Sequence, residues 1–159
     1  MTQANDGRHD FDFFANGIWK VKHRRLKSYL AGDTRWDAFS GTVTTSRILD
    51  GLGTIDENQI DYPGKPYRGS SLRLFDPSTG IWSVYWIDGR FGVLEAPVRG
   101  KWIDGRCELT GDDVFQGKPV KLRFTYTRLE GSNPHWQQEM SADDGASWET
   151  NWHMDYSRA

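Results

Sequence analysis

A single cysteine, Cys107, stands in the 159 residues. An intramolecular disulfide is therefore excluded, and a reducing compartment is the natural setting. No run of residues approaches the roughly 18 consecutive apolar positions that a spanning helix needs. The first ten residues, MTQANDGRHD, are polar and lack the apolar core of a secretory signal. These absences lead us to expect a cytoplasmic protein with no membrane partner. Charge of one sign is also lacking: the formal net charge is -2, so no global field draws in DNA or RNA. The cations between Lys20 and Lys27 are local, and acidic turns around them leave no extended basic groove. There is no Gly-x-Ser-x-Gly elbow, phosphate-binding loop or dinucleotide fingerprint. His9, His23, His135 and His153 have none of the short spacings of a compact metal site. No metal and no cofactor is expected on these grounds.

Aromatic residues, in contrast, are abundant: 8 Trp, 8 Phe and 6 Tyr. Such side chains suit the interior of a sheet better than a helical bundle. Turn signals punctuate the chain at short intervals, among them Asp50-Gly51, Asp76-Pro77, Asp88-Gly89, Asp104-Gly105, Gln116-Gly117 and Asp143-Asp144-Gly145. Between them apolar and polar residues alternate with period two. Val120, Leu122, Phe124 and Tyr126 form one such face, and Trp82, Val84 and Trp86 another. The pattern predicts about ten strands, near 18–26, 36–48, 53–61, 67–76, 81–88, 94–102, 106–113, 118–129, 135–141 and 148–157. Evenly spaced strands with tight turns read as an up-and-down antiparallel barrel or a sandwich. The whole chain, 1–159, is expected to be one domain with residues 1–10 as a flexible tail. Residues Asp10 to Phe14 form the best short helical turn, placed to plug a barrel end with Phe11 and Phe14.

Ser141-Ala-Asp-Asp-Gly-Ala-Ser-Trp148 matches the Ser-x-Asp-x-Gly-x-x-Trp pattern known as an Asp-box. Its physics is local, and a structural role is expected. Asp143 can accept turn amides, Gly145 can supply positive φ, and Trp148 can fold back on the hairpin.

Gly17-Ile-Trp19 opens the first strand with a glycine and a tryptophan two residues apart. Further on stand Leu-Asp-Gly-Leu-Gly-Thr-Ile-Asp-Glu57, Leu-Arg-Leu-Phe-Asp-Pro-Ser-Thr-Gly-Ile-Trp-Ser-Val-Tyr-Trp-Ile-Asp88 and Asp-Gly-Ala-Ser-Trp-Glu-Thr-Asn-Trp152. From Phe11 to Arg158 the chain resembles a large, mostly uncharacterised bacterial family of lipocalin-like domains. The resemblance implies a calycin-type barrel with an internal cavity, its base closed by the tryptophan of the opening tripeptide. It implies no shared catalytic mechanism, and fold alone does not assign function.

If Trp19 faces inward, alternation sends Val21, His23 and Arg25 inward too, while Lys20, Lys22 and Arg24 face solvent. Interior His and Arg need partners or water. Two settings provide them, a ligand cavity or the barrel rim, and both remain open at this point. Partners for His23 and Arg25 are sought on the polar third strand, in Asp56, Glu57 and Asn58, whose facing alternation does not decide. Tyr126 and Gln138 lie on otherwise apolar faces and are candidate polar contacts in the cavity. Trp86, Trp136 and Trp152 are candidate walls for a hydrophobic or aromatic ligand, with ordinary core packing as the plain alternative. On the last strand either Trp152 or His153 faces inward. An inward histidine there would open a minor alternative, a haem-binding barrel. The reading expected first is a barrel, monomeric or homodimeric, that binds a small, largely apolar molecule carrying a polar or anionic group. The alternative is a cofactor-independent lyase, isomerase or cyclase. In it His23 would exchange a proton, Glu57 or Asp56 would orient it, and Tyr126 or Arg25 would stabilise developing charge. A third reading is an interaction module whose interior is filled by its own aromatics.

Overall fold

The computed structural model describes residues 6–159. Eleven strands follow one another: β1 (Gly17–Leu26), β2 (Trp36–Ile48), β3 (Gly53–Ile60), β4 (Tyr67–Asp76), β5 (Ile81–Asp88), β6 (Val93–Leu94), β7 (Val98–Ile103), β8 (Arg106–Phe115), β9 (Lys118–Thr127), β10 (His135–Ser141) and β11 (Glu149–Arg158). Every pairing is antiparallel, and each long strand pairs with its sequence neighbours. The first strand pairs with the last, Trp19 lying opposite Arg158 and Arg25 opposite Trp152. Ten strands thus close into one up-and-down barrel, with β6 as a short flap on β5. Closure removes the free sheet edges that a sandwich would keep. Among the described residues, no helix is long and apolar enough to cross a membrane.

One seam is incomplete. Only Trp82 to Val84 of β5 pair with β7, while Ile87 and Asp88 pair instead with β6. The sequence pattern suggested one strand over 94–102. The chain makes two, β6 and β7, divided at 95–97, where Pro97 has no N–H to give to a ladder. The wall between β5 and β7 therefore parts toward one end of the barrel.

The opposite end is sealed by aromatics. Residues 7–15 wind through successive tight turns, with Asp10 N–H bonded to Gly7 O, Phe14 N–H to Phe11 O and Ala15 N–H to Asp12 O. These turns place Phe11 and Phe14 at the barrel base, each only 1% exposed. Phe11 meets Trp82, Tyr126 and Trp102 edge-on, at centroid distances of 4.8, 5.0 and 5.1 Å. Phe14 stacks on Trp19 at 5.3 Å, and the Trp19 indole N–H donates to Phe14 O at 3.2 Å. The glycine of the Gly17-x-Trp19 tripeptide makes room for Arg158, since a Cβ there would lie 1.9 Å from a guanidinium nitrogen. That guanidinium lies 4.0 Å over Trp19 and donates to Phe13 O. Residues 6–10, expected as part of a tail, belong to this base: Trp82 Nε1–H donates to Gly7 O at 3.3 Å. The rest of that expected tail, residues 1–5, lies outside the described residues.

Alternation holds along β1, where Trp19, Val21 and His23 are buried and Lys20, Lys22 and Arg24 exposed. On β11 it holds only from Trp152 onward. A bulge opposite Gln138 and Glu139 leaves Asn151 as the extra residue, because Gln138 pairs with Trp152 and Glu139 with Thr150. Trp152, Met154 and Tyr156 accordingly face inward and His153 outward. Thr150, two residues before Trp152, falls on the other face, and Trp148, just ahead of the strand, lies against Arg123 at 4.0 Å. The Asp-box is structural in its contacts. Asp143 accepts from Ser147 N–H at 2.8 Å and from Ser141 Oγ at 2.7 Å, and Gly145 has φ of 88°.

Because Phe11 holds three other rings in place, Phe11→Ala should open a cavity at the base and cost about 3–5 kcal/mol. Urea denaturation followed by circular dichroism checks this, and a loss below about 1 kcal/mol would contradict a load shared around Phe11.

Candidate functional site

Above the aromatic base lies a cavity of about 380 Å³. Its floor is an ion pair. Arg73 and Asp56 point inward from adjacent strands β4 and β3, 1% and 3% exposed, and meet at 2.7 Å. Asp56 is held by more than the arginine: its other oxygen accepts from Asn58 Nδ2 at 2.7 Å and from Ser71 N–H at 2.8 Å. Arg73 also donates to the Tyr126 hydroxyl, at 3.2 Å from Nε and 3.1 Å from Nη2. Its guanidinium faces the Phe14 ring at 5.0 Å. Burial alone would disfavour the guanidinium charge, but Tyr126 and Asp56 outweigh it and raise the Arg73 pKa. Burial pushes the Tyr126 hydroxyl pKa up, so it stays protonated at neutral pH. The floor is thus a charged pair already satisfied by its own partners.

The walls are apolar and aromatic: Ile60, Leu122, Phe124, Trp136, Met140, Trp152, Met154 and Tyr156, with Trp86 on the β5 side. Trp136 meets Phe124 at 5.0 Å and Trp152 at 5.6 Å, both edge-on. Trp86 lies flat against the wall over Gly69, where a Cβ would come within 2.2 Å of its ring. Glycine at that position is required by this approach. Gln138 lines the cavity too, its amide donating to Asn151 Oδ1 at 2.9 Å.

At the mouth stand Arg25, Tyr29, Asp88, Arg90, Phe91, Glu95, Asp113 and Phe115. The two arginines differ in one respect. Arg90 is bound by Asp88 at 2.8 Å, and the pair is tied further by the Arg90 N–H and Nε. Those bonds outweigh burial and hold the Asp88 carboxyl below its usual pKa. Arg25 has no carboxylate within ion-pair distance among the described residues. Its Nη1 donates to the Tyr67 hydroxyl at 2.9 Å, and its guanidinium packs between Tyr62 and Trp152, at 4.4 and 4.9 Å. Across the mouth, burial, with Asp113 and Asp88 adding to it, raises the Glu95 pKa.

Of the residues singled out from sequence, Arg25, Asp56, Asn58, Trp86, Tyr126, Trp136, Gln138 and Trp152 line this one cavity. Three do not. Trp19 is part of the base, stacked under Phe14. Glu57 lies on the outer face, where it is exposed and bonded to Arg68 at 2.8 Å. His23 faces inward yet sits behind the lining. It stacks on Phe39 at 4.7 Å, and its Nδ1 accepts the Trp152 indole N–H at 3.1 Å. Burial, aided by Arg25, lowers its pKa to about 4, so the ring is neutral at neutral pH. Glu57 points away from it and Asp56 is engaged by Arg73, so the anticipated histidine–carboxylate pair does not form. No histidine is among the residues lining the cavity.

Arg73, Tyr67, Tyr29 and the Asp88–Arg90 pair escaped sequence reasoning. On β4 the apolar residues Leu72 and Leu74 point outward, while Gly69, Ser71, Arg73 and Phe75 point in. Hydrophobicity thus suggests the wrong face, and the one signal for Arg73 was its spacing from Phe75.

Removing one partner of the floor pair leaves a buried charge alone. Arg73→Met should therefore destabilise the protein by about 3–5 kcal/mol, and Arg73→Met with Asp56→Leu should recover much of that loss. Urea denaturation of both variants measures it; a double variant no more stable than the single one would contradict the pairing. His23 has a pH consequence. Its folded pKa is lower than its unfolded value near 6.5, so the unfolded chain binds the extra proton first. The stability contributed by neutral His23 is complete above pH 6.5 and is lost as the pH falls toward 4, on the order of 3 kcal/mol in total. The pH dependence of the urea midpoint should be shallower in His23→Gln across that window. No protein-family model and no curated protein matches this chain.

Proposed function

We propose that the barrel binds a small, largely apolar or aromatic molecule that carries an anionic group, body inward and anion at Arg25. The observation that carries this reading is the contrast among the arginines. Arg73 and Arg90 are each neutralised by an aspartate within ion-pair distance, whereas among the described residues Arg25 forms no ion pair: it donates to a hydroxyl and lies over two rings, and Asp37, its neighbour on β2, acts on it only from a greater distance. An unpaired, half-buried guanidinium beside an aromatic-walled cavity is suited to a carboxylate, sulfonate or phosphate, which it can grip with two N–H groups. The parted seam between β5 and β7 offers a way in. The cavity size supports a compact ligand rather than a long chain. The likeness of its motifs to bacterial lipocalin-like domains agrees with this use, and its single buried cysteine with a cytoplasmic setting.

The acid–base alternative has less support. It needs a histidine able to exchange protons with a ligand, but the Nδ1 lone pair of His23 is taken by Trp152 and the ring lies behind the lining. A haem reading would need a histidine at the cavity wall.

Titration with 8-anilinonaphthalene-1-sulfonate, an aromatic anion, tests the proposal. Wild type should bind it, and Arg25→Gln should weaken binding about tenfold or more, the loss of one charge-assisted contact. Binding of neutral N-phenyl-1-naphthylamine should change little in the same variant. Equal loss for both probes, or loss for neither, would overturn Arg25 as the anion anchor.

A further inference from the structure

The strand register brings together two histidines that sequence spacing kept apart. His135 on β10 and His153 on β11 lie diagonally on the outer face, His135 opposite Asp155 and His153 opposite Gln137. His153 Nδ1 stands 3.2 Å from His135 Nε2, and His135 Nδ1 stands 2.7 Å from Asp155 Oδ1. Two zinc–imidazole bonds of ordinary length meeting at a tetrahedral angle span about 3.3 Å between nitrogens. The separation of the two nitrogens is therefore close to the bite of a chelate, and turning the rings out of their mutual hydrogen bond would aim both lone pairs at one ion. A carboxylate on the far nitrogen of a ligating histidine fixes its tautomer and aims the near nitrogen, and Asp155 occupies that place for His135.

We propose that His135 and His153 form a surface site for a borderline divalent metal ion such as zinc. His135 Nε2 and His153 Nδ1 are the protein ligands, Asp155 is a positioning residue, and water fills the remaining positions. On binding, the single proton between the two nitrogens is given up from that position, and His153 carries its proton on Nε2 instead. The two histidines are the whole protein ligand set, since no group of three or more His, Cys, Asp or Glu able to hold a metal is found among the described residues. Arg24, directly across from His153 on β1, opposes a cation. Trp36, its ring 5.5 Å from His153, lies close enough to report an occupied site.

Calorimetric titration of the full chain with zinc chloride at pH 7.5, in a non-coordinating buffer, is the test. Wild type should take up one zinc, with affinity reduced at least tenfold in His135→Gln and in His153→Gln. Asp155→Asn should weaken binding by roughly tenfold through the lost orientation of His135, and Arg24→Gln should tighten it. Copper(II) should quench Trp36 fluorescence in wild type, as the difference from Trp36→Phe, and fail to do so in His153→Gln. All four site substitutions lie on the outer face, and unchanged circular dichroism verifies that the variants are folded. The proposal is overturned if wild type binds no zinc, or if both histidine variants bind it as tightly as wild type does.

Discussion

The interior of this barrel is organised around one buried ion pair, Arg73 with Asp56. It joins neighbouring strands β4 and β3, reaches across the lumen to Tyr126 on β9, and lies on the rings of the basal plug. A charge at that depth persists only when its hydrogen-bonding positions are filled. Here they are, by Asn58, the Ser71 amide, Thr54 and Tyr126. The pair divides the barrel into a solid aromatic base and an open upper half.

That division explains why the upper half is available to a ligand. Below the pair, Phe11, Phe14, Trp19 and Trp82 fill the space completely enough to be buried on every side. Above it, the strands diverge where β5 leaves β7 for β6, and a cavity of about 380 Å³ remains between the walls. The aromatic walls and the unpaired Arg25 then supply what a small amphipathic anion needs, apolar area for its body and a fork of donors for its charge. The outer face follows other rules, since water satisfies its polar groups. There, strand register alone decides which side chains meet, as with His135, His153 and Asp155.

Much of the fold was legible beforehand because it rests on local chemistry. Turns rich in Asp and Gly sit where the chain reverses, and the Asp-box closes its own hairpin by bonds within seven residues. The inward face of β1 followed from a single anchor, Trp19, and period two. Where two residues of similar character compete, period two gives no answer. On β3, Ile55 and Ile60 lie on opposite faces, so the facing of Asp56 and Glu57 was undecidable from hydrophobicity. On β11 one bulged residue, Asn151, reverses the phase before Trp152. On β4 the two leucines point outward and an arginine inward, against the transfer free energies of the side chains.

By itself, then, the sequence determined ten of the strand segments and the inward faces of β1, β5 and β9, because those follow from backbone sterics and nearest neighbours. It also determined the plug, through two phenylalanines just ahead of the first strand. Only the tertiary structure decided which inward polar groups meet. Arg73 finds Tyr126 across 53 residues, Trp152 finds His23 across 129, and Arg25 finds no carboxylate within ion-pair distance among the described residues. Those outcomes depend on the register of ten strands at once and on the closure of β1 against β11. No local period encodes such a register, because every strand must be placed before any cross-lumen distance exists.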